Sequence, residues 1–292
     1  MSRQLVLGLP KGSLQEATAR LFGRAGFRVH ISERSYVPSI DDPEISPLML
    51  RTQEMSRYVE SGVLDSGLTG HDWILENGSK VVRVAEMVYS KVSSRPVRWV
   101  LAVPATSRIR GPKDLQGKRI ATELVRVTKQ YLKQHRVSAD VEFSWGATEG
   151  KVSGGLVDAI VEATETGRTL TANGLRIVDT LCESTTQFIA NTRAWHDPWK
   201  RRKMESITLL LNGAIVAEGK AGLKMNVRRR DLTAVLKVLP AMKQPTISSL
   251  ADERWCAVET IIDESIVRTL IPALKRAGAE GLIEYPLNKV IA

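Results

Sequence analysis

Aromatic residues make up only 5% of this 292-residue chain, which carries two cysteines and four histidines. Cys182 and Cys256 stand far apart and in no CxxC or Cys/His array, which argues against a disulfide framework and a structural metal site. Both read as reduced core residues. The histidines, His30, His71, His135 and His196, are scattered without H-E-x-x-H spacing, so they give no zinc signature. Stacking platforms for single-stranded nucleic acid need aromatics interleaved with basic residues, and here they are too few. Long apolar runs are missing too: Leu5 to Leu9 is broken by Pro10, Lys11 and Gly12 far below the length of a signal peptide or membrane span. The expectation is a cytoplasmic protein with no membrane and no nucleic acid as partner.

What the chain does have is positive charge. A formal net charge of +10 favours acidic ligands, whether a polynucleotide or a phosphate-rich small molecule. The densest basic clusters, Lys200 to Lys203 and Arg228 to Arg230, read as solvated faces, with a binding patch as the alternative. An apolar content of 43% supplies a packed core, and the length suits two domains, one of them split.

The first unit reads strand, tight loop, helix. Leu5 to Leu9 leads through Pro10-Lys11-Gly12 into a helix whose Ser13 and Glu16 have capping-box spacing, with Leu14, Ala17, Leu21, Phe22 and Ala25 on one face. Lys11 therefore lies near a helix N-terminus, as an anion contact or as a solvated loop residue. Further strand-like runs fall at Val63 to Thr69, Val81 to Val88, Trp99 to Val103, Lys118 to Ala121, Val141 to Phe143, Leu156 to Glu162, Arg176 to Cys182 and Thr186 to Ala190. Helical patterns separate several of them, so an α/β fold with largely parallel sheets is expected. A new unit begins at Arg95-Pro96. Residues 1–92 plus 184–205 form lobe I, 93–183 an inserted lobe II, and 206–292 a third domain with a connector helix, capped by Asp197 and Pro198. That last domain reads βαββαβ, the ferredoxin-like plan, and suggests regulation.

Two loops carry the chemistry. In "VDAIVEATETGRTL" an apolar strand ends at Glu162 and the chain turns through Glu165, Thr166, Gly167 and Arg168 into a helix near Thr169. A carboxylate there can accept hydrogen bonds from vicinal sugar hydroxyls, while loop N–H groups and threonine hydroxyls enclose a phosphate. A ribose 5-phosphate fits that spacing, and a turn with two capping threonines is the plain alternative. In "GVLDSGLTGHDWILENG", Asp65 and Asp72 flank a Gly-Leu-Thr-Gly turn in which Thr69 offers a hydroxyl and Gly70 frees the backbone to approach a ligand. That stretch, too, reads equally as a simple turn.

The stretches "LGLPKGSLQEATARLFGRAGF", "LRTQEMSRYVESGVLDSGLTGHDWILENG", "VRWVLAVP", "VDAIVEATETGRTLTANGLRIVDTL" and "LKMNV…LPAMKQPTISSL…LIPALKRAGAEGLIEYPLNKVI" together resemble ATP phosphoribosyltransferase, long form, in family order over nearly the whole chain. The resemblance implies a two-lobed catalytic part like periplasmic binding proteins plus an ACT-like regulatory domain. It also implies transfer of a phosphoribosyl group from phosphoribosyl pyrophosphate (PRPP) to N1 of ATP, a requirement for Mg2+, inhibition by histidine, and a homo-oligomer, dimer or hexamer. By the same resemblance Glu162 faces the ribose hydroxyls, Glu165, Thr166, Gly167, Arg168 and Thr169 surround the 5-phosphate, and Lys11, Gly12, Arg51, Asp65, Thr69, Gly70 and Asp72 line the cleft. Thr246, Ser248 and Ala279 border the regulatory site. Many relatives have arginine where this chain has Ser13, so no direct phosphate contact is assigned to that side chain. A two-lobed binding protein without catalysis is the rival reading; an exported receptor calls for a signal peptide and a regulator for a helix-turn-helix, and neither pattern is present.

Overall fold

The computed structural model describes residues 3–32, 37–89, 96–240 and 244–291. Two compact units emerge, one of Met1–Gly23 and Phe27–Thr208, the other of Arg24–Gly26 and Leu209–Ala292. The expected lobe boundary at residues 92–93 lies outside the described residues, as do residues 241–243 of the C-terminal motif.

The first unit begins with β1 (Leu5–Lys11), α1 (Gln15–Ala25), β2 (Val29–His30), β3 (Ser39–Ile40), β4 (Ile45–Arg51), α2 (Thr52–Ser61), β5 (Ser66–Gly70), α3 (His71–Asn77) and β6 (Val82–Met87). It continues with β7 (Val97–Pro104), β8 (Arg119–Thr122), α4 (Val125–Gln134), β9 (Asp140–Phe143), α5 (Thr148–Ser153), β10 (Ala159–Thr164), α6 (Arg168–Ala172) and β11 (Leu175–Ser184). Then β12 (Thr186–Ala190) returns to the first sheet, followed by α7 (Thr192–His196) and α8 (Pro198–Val216), the last crossing the division between units.

Each lobe is built on a five-stranded sheet, ordered β4-β1-β5-β12-β6 in lobe I and β11-β7-β10-β8-β9 in lobe II. Four strands of each run in the same direction, and the fifth, β12 in lobe I and β7 in lobe II, runs antiparallel to both its neighbours. The sheets are thus mixed where the sequence pointed to largely parallel ones. The reason is connectivity: β7 and β12 pair with strands that no crossover helix links to them, so nothing imposes the parallel direction.

Helices cover both faces of the lobe II sheet, and two buried clusters result, one around Leu101, Ile120 and Leu132, the other around Val100, Ile160 and Leu170. Alternate residues of one strand feed opposite clusters, the signature of a strand buried on both sides. In lobe I, Met55 and Val59 of α2 pack with Leu64, Ile74 and Ile189. Helix α1 starts at Gln15, whose N–H donates to the Gly12 carbonyl at 3.1 Å. Ser13 therefore stands in a turn two residues before the helix, and the capping-box expectation is displaced. Asp197 does cap α8, its carboxylate accepting from the N–H groups of Trp199 and Lys200 at 2.9 and 3.0 Å.

The second unit contains β13 (Lys220–Arg228), α9 (Leu232–Val238), β14 (Thr246–Ser249), β15 (Trp255–Asp263), α10 (Glu264–Arg276) and β16 (Ala279–Pro286). Its antiparallel sheet has the order β14-β15-β13-β16, the ferredoxin-like arrangement read from the sequence. Leu223, Met225, Val258, Leu270 and Leu274 form its core, which also takes in Cys256. Among the described residues no helix is long and apolar enough to cross a membrane.

Candidate functional site

In lobe I the parallel register of β1 with β4 sets Lys11 beside Arg51, and both stand at the C-terminal ends of their strands. Gly70 ends β5 at the same edge of the sheet. Immediately after these strands the chain enters a cleft of about 610 Å³, lined by Ser13 and Leu14 past β1, by Thr52 and Gln53 past β4, and by Gly70 itself. Gly12 makes the turn possible with φ of 100°, a left-handed conformation that side chains resist. The C-terminal edge of an α/β sheet is where ligands bind in such folds, because loops there are free of the crossovers packed below.

Lobe II closes the other side of the cleft. Strand β10 runs two residues beyond the predicted end, through Glu162 to Thr164, and Glu162, Thr164, Glu165, Thr166 and Thr169 all line the cavity, joined by Glu123 just past β8. The Gly167 N–H donates to the Thr164 hydroxyl at 2.8 Å, and Gly167 has φ of 77°, so the loop is a preformed turn and glycine is required at its apex. Gly167 and Arg168 sit at the head of α6 behind the lining side chains.

Glu162 is the group most perturbed by this setting among the lining loop residues. Burial raises its pKa, and the charges of Glu149 and Glu123 raise it further, while the Ala163 N–H at 3.1 Å and the Thr148 hydroxyl hold it down. A carboxylate left half in a dry cleft, with two acidic neighbours, is poised to take a cationic or hydroxyl-bearing partner.

Asp72 also lines the cleft, yet its carboxylate is spent within the protein. It accepts from Trp99 Nε1 at 2.6 Å and from the Trp73 N–H at 2.9 Å, and its own N–H donates to the Ser184 hydroxyl. Burial pushes its pKa up and these donors oppose the rise. Trp73 and Trp99 meet edge to face, 6.1 Å between centroids, so α3 of lobe I is pinned to β7 of lobe II. Trp99 lay inside a predicted strand. A buried indole N–H needs an acceptor, and that rule was the available signal for its partnership with a carboxylate.

Two residues expected in the cleft lie elsewhere. Asp65 precedes β5, at the end of the strand opposite Gly70; it accepts from the Val6 N–H at 2.9 Å and pairs with Lys200 at 2.5 Å. The side chain of Thr69 is fully buried and donates to the Thr52 carbonyl at 2.8 Å. Asp65 and Thr69, four residues apart, share a face of the extended chain but stand at its opposite ends, and at the cleft end Thr69 is turned onto the first residue of α2 and not into the cavity. The basic cluster at Lys200 to Lys203 is likewise not a free patch, because Lys203 bridges Asp42 and Glu44 at 2.7 Å each. Arg228 stacks on Trp255 and Arg229 donates to Ser249. In the second unit Thr246 and Ser248 are exposed on edge strand β14, while Ala279 is fully buried in the core, so its side chain is closed to a ligand.

The sequence of this cleft and of the domain that follows it matches known proteins over the whole chain. Residues 51–213 match the family HisG, ATP phosphoribosyltransferase, and residues 217–289 match the HisG C-terminal domain. The ATP phosphoribosyltransferase of Chlorobium chlorochromatii is 59% identical over 99% of this chain and 98% of its own, and that of Solibacter usitatus 61% identical over 98% and 99%. This chain belongs to the ATP phosphoribosyltransferase family. Among solved structures, the ATP phosphoribosyltransferase HisG:HisZ complex from Thermotoga maritima aligns with a TM-score of 0.63 and 28% identity, covering 74% of this chain and 99% of the Thermotoga chain.

Proposed function

We infer that the protein transfers the 5-phosphoribosyl group of PRPP to N1 of ATP, releasing pyrophosphate, and so performs the first step of histidine biosynthesis, in the cytoplasm. Near-60% identity along the full length to proteins of that activity carries the reading.

The cleft supports the chemistry. Adenine N1 already bears a lone pair, so no side chain has to attack first, and the rate must come from aligning two polyanions and stabilising the departing pyrophosphate. Glu162 takes the ribose hydroxyls and faces positive charge growing at C1 as the bond to pyrophosphate stretches. Thr166, Thr169 and the backbone of the loop at Gly167 hold the 5-phosphate, with Arg168 adding charge beside it. At the lobe I edge of the cleft Lys11 and Arg51, paired at the ends of β1 and β4, supply positive charge for the polyphosphates, and Gly12 and Gly70 let the backbone come close.

Among the described residues no three Asp, Glu, His or Cys side chains gather into a metal cage. That donor set fits Mg2+ carried on phosphate oxygens and met by one or two carboxylates, Glu123 and Glu162 being those at hand. When bound, the ion would neutralise charge on the leaving pyrophosphate.

The second unit supports feedback by histidine. The Thermotoga chain is covered almost completely yet matches only 74% of this one, and the C-terminal family match lies at 217–289. A domain of its own in that place suits the long form, with Thr246 and Ser248 bordering the effector site and self-association into dimers and hexamers.

The test is the ultraviolet absorbance of the N1-substituted adenine in mixtures of protein, ATP, PRPP, Mg2+ and pyrophosphatase, with and without histidine. A rise suppressed by histidine supports transfer and feedback together. Flat traces from folded protein would favour a two-lobed binding protein that lacks the chemistry.

A further inference from the structure

The phosphate loop and the carboxylates leave one conspicuous side chain near the cleft without a role. Trp145 is 79% exposed, whereas the other five tryptophans are buried or half-buried. A lone exposed side chain needs no explanation, but a large indole with a second open aromatic beside it offers a contiguous apolar face that a flat ring can cover. Phe143, itself 46% exposed, meets Trp145 edge to face with centroids 4.8 Å apart. This contact props one aromatic on the other and leaves indole surface open to solvent.

Its place in the fold says what would cover it. Strands β8, β9 and β10 run parallel, so residues just past their C-terminal ends share one edge of the sheet. Glu123 follows β8, Trp145 follows β9, and Glu162 to Thr164 close β10; the first and last of these already line the cleft. The chain is tied down on both sides of Trp145. The Ser144 N–H donates to the Thr122 carbonyl at 3.0 Å, and the buried Thr148 hydroxyl donates to the Ser144 hydroxyl at 3.3 Å. Between these anchors Gly146 and Ala147 turn the backbone with φ of 57° and 46°. A left-handed alanine is disfavoured, and such residues persist where the surroundings over-determine them.

We propose that Trp145, braced by Phe143, is the platform on which the adenine ring of ATP stacks; this rests on the reading that the cleft transfers phosphoribosyl to ATP. Of the two substrates only ATP has a flat π-face, while PRPP is sugar and phosphate, for which the loop after β10 is suited. Neighbouring strands lie about 4.8 Å apart, so β9 is roughly 10 Å from β10, within the reach of a nucleotide whose ring must meet a ribose held at Glu162. An indole face accepts any purine, so the platform supplies affinity and orientation while the rest of the cleft supplies selectivity.

The experiment compares full-length wild type, Trp145→Phe and Trp145→Ala, with ATP and PRPP varied separately and with fluorescence titrations by adenosine and by tripolyphosphate. Trp145→Ala is expected to raise KM for ATP about tenfold, the scale of one lost base stack, with KM for PRPP unchanged. Trp145→Phe restores most of the loss. Adenosine should quench wild-type emission by a component missing from Trp145→Phe, and tripolyphosphate should not. An unchanged KM for ATP in folded Trp145→Ala overturns the proposal, as does an equal rise in both KM values. A shift in oligomeric state alone also overturns it, marking Trp145 as a contact between copies. Should the wild type form no product, the transfer reading fails by itself, and the adenosine titration then decides: quenching that vanishes in Trp145→Phe upholds the stack, and its absence in wild type removes it.

Discussion

The surroundings of Glu162 work against its negative charge. Burial and the charges of Glu149 and Glu123 raise its folded-state pKa above the unfolded value, so above that raised pKa the ionised side chain weakens the fold, and the penalty disappears as pH falls toward the unfolded pKa. Glu162→Gln retains an acceptor for the Ala163 N–H and removes the charge. It is expected to raise Tm at pH 7, with the gain shrinking on acidification, while turnover falls on the order of a hundredfold because the group facing the developing cation is gone. Calorimetry at pH 7 and pH 5 with parallel rate measurements checks both signs, and a variant less stable at pH 7 would refute the assignment of strain to this carboxylate. The activity of the wild type should carry an acid limb with an apparent pKa above the usual carboxylate range. Lys11→Ala should also lose on the order of a hundredfold in rate while staying folded, and near-normal turnover would end its assignment to the cleft. Glu162 and the loop to Thr169 were readable because they are contiguous: the end of an apolar run, a glycine at the turn and threonines around it are local signals. Thr148, Glu123 and the Asp72–Trp99 pair were not, since the fold brings them together across 14 residues (Thr148 to Glu162), 27 (Asp72 to Trp99) and 39 (Glu123 to Glu162), and one sequence alone records no such contact.

Element boundaries were legible to within a few residues wherever alternation or helical spacing ran long, as at α8, where Met204, Ile207, Leu211 and Ala214 bury one face. Strand direction was not, because β7 and β12 take theirs from partners distant in sequence. Close packing between elements makes its own demands. A Cβ placed on Gly8 of β1 would stand 2.3 Å from the sulfur of Met55 on α2 and 2.8 Å from Leu64 Cδ1. Gly8→Ala should therefore cost about 1–3 kcal/mol by overpacking, read as a lower denaturation midpoint. Met55→Ala in the same chain should recover part of it by making room, whereas an additive loss would show that the helix does not bear on that glycine. The pairing of α8 with β5 gives a second case. Lys200→Met strands the carboxylate of Asp65, only 8% exposed, leaving it the Val6 N–H as donor, and is expected to lower stability by about 1–3 kcal/mol. The pair stands at the strand end opposite the cleft, so KM for both substrates should stay within a factor of two of wild type, a rough allowance for additive, distant effects. A selective loss of substrate affinity would instead return Asp65 to the cleft.

At the scale of the whole molecule, charge is the property the sequence states outright, and it acts through the field and not through the fold. A net charge of +10 draws in two polyanionic substrates, and the ion pairs of Lys200 and Lys203 show that part of it is consumed in holding elements together. The remaining field accelerates encounter with ATP and PRPP and is screened over about 10 Å at 0.1 M salt. Raising ionic strength at fixed free Mg2+ should therefore lower kcat/KM for both substrates by roughly three- to tenfold between 0.05 and 0.5 M salt, with kcat changing far less because the contacts inside the closed cleft are shielded from mobile ions. Stopped-flow or initial-rate measurements with chloride and acetate salts separate this field effect from competition by a particular anion. A loss confined to kcat would mean that salt acts on the transfer step itself, and the basic surface would then have no part in gathering substrate.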